Sequence, residues 1–153
     1  MPDLTFRRAV VADLPILVAM LADDVLGQAR ERAVDPLPEP YLAGFAAIEA
    51  DPNQLLLVAE RAGSVVGMLQ LTVIPGLSHL GAWRGQIEGV RVAAAQRGHG
   101  IGEAMLRHAI GIARARGCSI VQLTTNKARA DAKRFYEKLG FEPAHEGMKL
   151  TLV

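Results

Sequence analysis

Residues 96–102 read Gln96-Arg97-Gly98-His99-Gly100-Ile101-Gly102, a glycine-rich loop between a strand predicted over 86–92 and a helix predicted over 101–116. Ile101, Ala104, Met105, Ala109 and Ile112 fall on one side of that helix, Glu103, Arg107 and Arg114 on the other, and Gly117 follows as its C-terminal cap. Free backbone N–H groups and the helix dipole favour an anion at such a junction, and glycine lets the chain come close to phosphate oxygens. A dinucleotide fingerprint or a P-loop starting at Gly98 would need glycine at position 103, which is Glu103, so spacing excludes both. A tight turn that merely connects strand to helix is the bland alternative.

Working outward, residues 54–60 and 64–74 read as two β-runs joined by Ala62 and Gly63, a hairpin. Residues 4–9 form a first strand, Asp13 is placed to cap a helix over 14–21, and 41–50 is a second helix that ends before Pro52. The intervening segment 24–40 is punctuated by Gly27, Pro36, Pro38 and Pro40 and reads as irregular, with room for a broken helix. After the glycine loop and its helix come a fifth strand over 119–125 and a last helix over 130–139, where Ala132, Phe135, Tyr136 and Leu139 share a stripe. Phe141 and residues 148–152 supply closing strands. This order implies an α/β domain, a mixed sheet covered by helices.

The chain has 153 residues, half of them hydrophobic, which is the size of one domain spanning 1–153 with one sizeable core. Its 17 basic and 16 acidic residues nearly cancel, so no long-range field draws it to nucleic acid or to an anionic membrane surface. No apolar run approaches the roughly 18 residues that would span a bilayer. Cys118 is the sole cysteine, which rules out an internal disulfide and a multi-cysteine metal site and suits a reducing compartment. These features describe a soluble, cytoplasmic protein with no metal.

Two motifs together resemble the GNAT superfamily of acyl-CoA-dependent N-acetyltransferases. The phosphate motif of that family, R/Q-x-x-G-x-G/A, is met by Arg97, Gly100 and Gly102 after a strand ending Val90-Arg91-Val92. A second signature, an alanine-bearing helix ending in Y-x-x-x-G-F, is met by Ala132, Tyr136, Gly140 and Phe141, and the likeness covers about residues 54–150. The resemblance implies a mostly antiparallel mixed sheet splayed between its fourth and fifth strands, flanked by helices, with acetyl-CoA as cosubstrate. The pantetheine arm would bond the backbone around Val90, Arg91 and Val92, and the pyrophosphate would rest on the amides of Arg97, Gly98, His99, Gly100, Ile101, Gly102 and Glu103. In many members an asparagine stands seven residues before the tyrosine. Here that place is Arg129, and the nearest asparagine is Asn126, which leaves both as candidates for that cofactor contact. Domains of this kind commonly dimerise, which makes a second copy a candidate partner.

Acyl transfer to an alkyl amine requires deprotonation, since an amine of pKa about 10.4 is neutral only once in about 2,500 molecules at pH 7. Glu88 is the first candidate base, because strand alternation would place it on the face shared by Val90 and Val92, where burial raises a carboxylate pKa. An ion pair with Arg84 or another nearby base is the competing role. Many relatives carry a glutamate on the fifth strand instead, but Gln122, Thr124 and Thr125 stand there, which leaves Glu88 or water. Tyr136 would protonate the departing thiolate, with a core tyrosine as the alternative, and the Val90 N–H would face the thioester carbonyl oxygen. His108 lies in the helix stripe and reads as structural or interfacial, His99 as solvated, and His145 as a minor candidate near the acceptor. Cys118 reads as a core residue. The acceptor site would be built by 23–41 and 77–84, with Trp83, Tyr41, Glu31 and Asp35 as lining candidates. The preferred acceptor is the primary amine of a small molecule. A protein or peptide amine, a non-catalytic CoA-binding module and a nucleotide-binding loop are the competing readings.

Overall fold

A computed structural model describes residues 3–153. Its elements are β1 (Leu4–Arg8), a 3-10 turn (Val11–Asp13), α1 (Leu14–Ala22), α2 (Val25–Arg30), α3 (Glu39–Ala50), β2 (Gln54–Arg61) and β3 (Ser64–Ile74). The one-turn α4 (Ser78–Gly81), β4 (Trp83–Val92), a second 3-10 turn (Ala94–Gln96), α5 (Ile101–Ala115), β5 (Cys118–Gln122) and α6 (Ala130–Lys138) follow. The five strands lie in sequence order, antiparallel from β1 to β4 and parallel between β4 and β5.

The β2–β3 hairpin forms as its pattern predicts, with Ala62 and Gly63 both at positive φ in the two-residue turn. Leu56 to Ala59 are all buried because helices cover both faces of β2. On one face Leu57, Leu69, Leu71 and Ile87 meet Ile101, Met105, Leu106, Ala109 and Ala113 of α5. On the other, Leu56, Val58 and Met68 meet Leu14, Leu17 and Met20 of α1 and Phe45 of α3. Leu106 and Ala113 belong to the buried stripe of α5 and widen the face expected from the sequence. His108 does not belong to it: the side chain is exposed and its ring stacks on Phe6 at 4.3 Å.

Asp13 corrects a second expectation. It precedes α1 but gives it no side-chain cap. Its carboxylate instead accepts from Nη1 and Nη2 of Arg7 at 2.8 and 2.9 Å and from the Val10 N–H at 2.8 Å, while Arg7 Nε reaches Glu60 at 2.7 Å. This triad ties β1, the 3-10 turn and β2 together, and the Arg7 hydrogen bond holds the Asp13 carboxyl below the usual carboxylate range. A lowered pKa contributes stability that is present above about pH 4 and lost as pH falls through the folded value. Asp13→Asn should therefore lower stability by about 2 kcal/mol at pH 7, less than for a fully enclosed pair because Arg7 is partly open to water. Urea midpoints at pH 7 and pH 3 check this: the gap between wild type and variant should shrink at the acid end.

The segment 24–40 is more ordered than its prolines imply. Asp24 accepts the Gly27 N–H and caps α2, and the cis Asp35–Pro36 bond lies in the irregular stretch beyond it. The closing strands expected at Phe141 and 148–152 are absent, since no regular structure follows α6. Met148, Leu150 and Leu152 alternate as a strand would but are 85–91% exposed, with no neighbouring strand to pair with. Among the described residues no helix is long and apolar enough to cross a membrane.

Candidate active site

The sheet opens between β4 and β5. Their parallel pairing runs from Trp83 with Cys118 to Gln86 with Gln122 and stops there, closed by a 2.8 Å bond from Gln122 Nε2 to Gln86 Oε1. Residues 87–92 of β4 continue paired with β3 only, so their β5-facing edge is free to bond something else. The splay expected from the resemblance is therefore present, and β5 ends at Gln122, short of the expected 125, because beyond the fork it has no strand to pair with.

A bulge in β4 sets which side chains face which side. Gln70 pairs with Glu88 and Met68 with Arg91, so Leu69 stands opposite two residues, Gly89 and Val90. Gly89 has φ +64°, the left-handed conformation that such a bulge requires and that glycine adopts without strain. The extra residue breaks the alternation. Val90 and Val92 pack toward α5, whereas Glu88 and Arg91 share the opposite face with Met68, toward α1 and α2. The expectation that Glu88 shares a face with Val90 and Val92 is thus corrected. Glu88 is also exposed rather than partly buried, and among the described residues it has no ion-pair partner, Arg84 included.

The glycine loop turns directly into α5. Gly98 has φ +82° and Gly100, the N-cap of α5, φ +78°, and a side chain at either position would meet no atom within 4 Å. Apart from the long bond from Arg97 N to Ala94 O, the N–H groups of 97–103 donate to no backbone carbonyl, and the ladder begins with Ala104 N to Gly100 O at 3.1 Å. These free donors at a helix N-terminus suit a diphosphate. Arg97 anchors the loop to the end of β4 through Nε to Val92 O at 3.2 Å and stands 3.4 Å from Asp23. His99 is exposed at the loop, as expected, with Nδ1 3.1 Å from Gln96 O. Gly102 lies against Phe135, where an added Cβ would come 3.3 Å from the ring, so the last glycine lets α6 approach α5.

Tyr136 is half-buried, edge-on to Phe135 at 5.3 Å and Phe141 at 5.9 Å, and its hydroxyl has no hydrogen-bond partner among the described residues. Burial raises its pKa, opposed by the nearby charges of Arg91 and Arg129. Arg129 does not point along the loop: its Nη2 is 2.8 Å from Asp24 Oδ2, which Arg91 Nη2 also approaches, at 3.6 Å. Asn126 turns the chain into α6, its side-chain oxygen accepting from Ala128 N at 2.9 Å. Asp24 is the residue that the sequence reading passes over, although an aspartate just before apolar Val25 is an N-cap signal.

Of the other acceptor-side candidates, Tyr41 Oη donates to Glu31 Oε1 at 2.9 Å and accepts from Arg32 N, which occupies both side chains in fastening α2 to α3. Trp83 and Asp35 are exposed, and so is His145 in the tail. Cys118 is half-buried, its thiol pKa raised by burial.

The model of the acetyltransferase (GNAT) family matches residues 19–141. The aminoalkylphosphonate N-acetyltransferase of Salmonella typhimurium is 33% identical over 145 residues, 95% of this chain and 89% of that protein. The glucosamine 6-phosphate N-acetyltransferase of Trypanosoma brucei brucei is 36% identical over 90 residues, 59% of each chain. A crystal structure of a protein described as a transcriptional regulator from Bacillus halodurans C-125 superposes with a TM-score of 0.95 at 50% identity, covering 97% of this chain and 99% of that one. With the splayed strands, the loop of free amides and the tyrosine helix all in place, the chain belongs to the GNAT acetyltransferase family.

Proposed function

We propose that this protein transfers the acetyl group of acetyl-CoA directly to the primary amine of a small molecule. The observation that carries it is the combination of three features: the free amides of 98–103, the unpaired edge of β4 beyond Gln86, and the Tyr136 hydroxyl with no partner among the described residues. Acetyl-CoA supplies an acetyl thioester, a carbonyl already activated for attack. Open space over Gly98 and Gly100 together with unclaimed donors fits its pyrophosphate, and the β4 edge at Val90, Arg91 and Val92 fits an extended amide-bearing arm.

In this reading the Val90 N–H donates to the carbonyl oxygen as charge gathers there. Glu88, directly or through water, takes a proton from the amine, and its exposed position on the α1/α2 face sets it on the acceptor side. The nitrogen–carbon bond forms, the carbon–sulfur bond breaks, and Tyr136 Oη donates a proton to the sulfur. The relatives named for aminoalkylphosphonates and glucosamine 6-phosphate act on small molecules, which favours such an acceptor over a peptide. The sole cysteine is compatible with work in the cytoplasm. The exposed apolar side chains of Met148, Leu150 and Leu152 in the tail favour a homodimer of single-domain chains.

Thiol release from acetyl-CoA, measured over a panel of small amines, N-terminal peptides and lysine peptides, tests the reading. Turnover is expected with small amines. Peptide acceptors alone would shift it to a protein acetyltransferase, and tight cofactor binding without turnover would leave a binding module.

A further inference from the structure

Arg91 and Arg129 come from β4 and from the N-cap of α6, yet both guanidiniums converge on Asp24, at 3.6 and 2.8 Å. Two positive charges face one carboxylate, which already accepts the Gly27 N–H. Arg30 lies within electrostatic reach of Arg91 but is occupied by Glu31 at 3.3 Å. The Arg91 side chain is only 12% exposed; its Nη1 donates to Val90 O at 2.9 Å, but its Nε is buried without a hydrogen-bond partner among the described residues. A buried donor left unmade costs free energy, and burial followed by the charge of Arg129 lowers the Arg91 pKa. As a purely structural ion pair the arrangement is poor: one cation too many and one donor orphaned. Two guanidinium forks converging from different elements do match an oxyanion bidentately.

The position is also the right one. Arg129 is the N-cap of α6, the helix that carries Tyr136, and the charges of both guanidiniums are felt at the Tyr136 hydroxyl, the proton donor of the proposed transfer. Glu88 and Arg91 share one face of β4 opposite Gln70 and Met68, two strand steps or about 7 Å apart. A carboxylate for an ammonium and a cationic pair for an anion are thus spaced for a molecule with a few bonds between its two charged ends. We propose that the acceptor amine carries a phosphate or phosphonate group, gripped by Arg91 and Arg129 in the place where Asp24 now neutralises them. A tetrahedral dianion suits two forks arriving from different elements better than a second flat monoanion.

This deepens the acetyl-transfer reading and rests on it, so the test separates the two. The probe for the anion site alone is methylphosphonate, which has no amine, titrated calorimetrically into the CoA-saturated enzyme. Binding is expected, about tenfold weaker in Arg129→Gln and Arg91→Lys. Asp24→Asn, which keeps an N-cap residue and removes the competing charge, should bind it severalfold more tightly and keeps the test open if an arginine variant does not fold. In steady state, kcat/KM should favour 2-aminoethylphosphonate over propylamine by about 100-fold, with β-alanine between them, and Arg129→Gln should collapse that ratio. Failure of methylphosphonate to bind, or equal use of propylamine, would overturn the proposal. So would a loss of acetyl-CoA affinity in Arg129→Gln as large as the loss for methylphosphonate, which would make the pair a cofactor-phosphate site. Binding of methylphosphonate with no amine acetylated would uphold the anion site and remove the transferase reading.

Discussion

Gly100→Asp is expected to weaken acetyl-CoA binding about 1,000-fold while leaving the fold standing. Position 100 is the N-cap of α5 at φ +78°, and a side chain there would point into open space, so nothing in the protein is displaced. Aspartate tolerates the left-handed region better than most residues, so the strain costs about 1 kcal/mol. The carboxylate would, however, hang over the amides of 98–103 and could accept from them as an N-cap aspartate does. It would then hold the donors meant for the pyrophosphate and set a negative charge against it. Losing two charge-assisted bonds at about 2 kcal/mol each gives about 4 kcal/mol, or three decades in Kd. Calorimetric titration with acetyl-CoA, beside the melting temperature of the free protein, measures both halves. Gly100→Asn is the control, since it shares the size and left-handed tolerance without the charge and should lose far less. Undiminished acetyl-CoA affinity in the aspartate variant would remove the pyrophosphate from this loop.

The loop is legible in the sequence because its determinants are local. Arg97, Gly98, Gly100 and Gly102 need only a strand before them and a helix after, and both neighbours declare themselves by periodicity. The hairpin at Ala62–Gly63 was legible for the same reason. Period-two alternation puts Glu88 on the wrong face because it assumes an unbroken strand, and Gly89 inserts one residue into it. A glycine inside a strand pattern is itself a bulge signal, so the correction was within reach of the sequence. The Arg91–Asp24–Arg129 cluster was not. Its members lie far apart along the chain, and only the packing of α2 and α6 against the same end of β4 brings them together. Asp13 shows the same limit, since its cap signal was real but Arg7, fixed by β1, out-competed the helix amides with two hydrogen bonds. Met148, Leu150 and Leu152 have strand alternation, yet a strand also needs a partner docked in register, which local pattern cannot supply.

Tyr136→Phe should lower kcat about 100-fold with little change in stability. The ring packs on Phe135 and Phe141, contacts that phenylalanine retains, and the hydroxyl bonds to nothing among the described residues, so its removal leaves no buried partner orphaned there. What is lost is a proton donor at the departing sulfur. A thiolate of pKa about 8–9 leaves tolerably by itself, which holds the deficit to the low end of the usual range for general acids. The pH profile separates this role from a packing role. An acid must be protonated to act, and burial moves the Tyr136 pKa up from its ordinary value of 10 despite Arg91 and Arg129. Wild-type kcat/KM should therefore rise through pH 7–9 as the amine loses its proton, with no fall from Tyr136 until the pH exceeds about 10. The phenylalanine variant should rise in parallel, about two decades lower, and lack that late fall. Equal kcat in the two enzymes would make Tyr136 a core residue and assign the sulfur's proton to water.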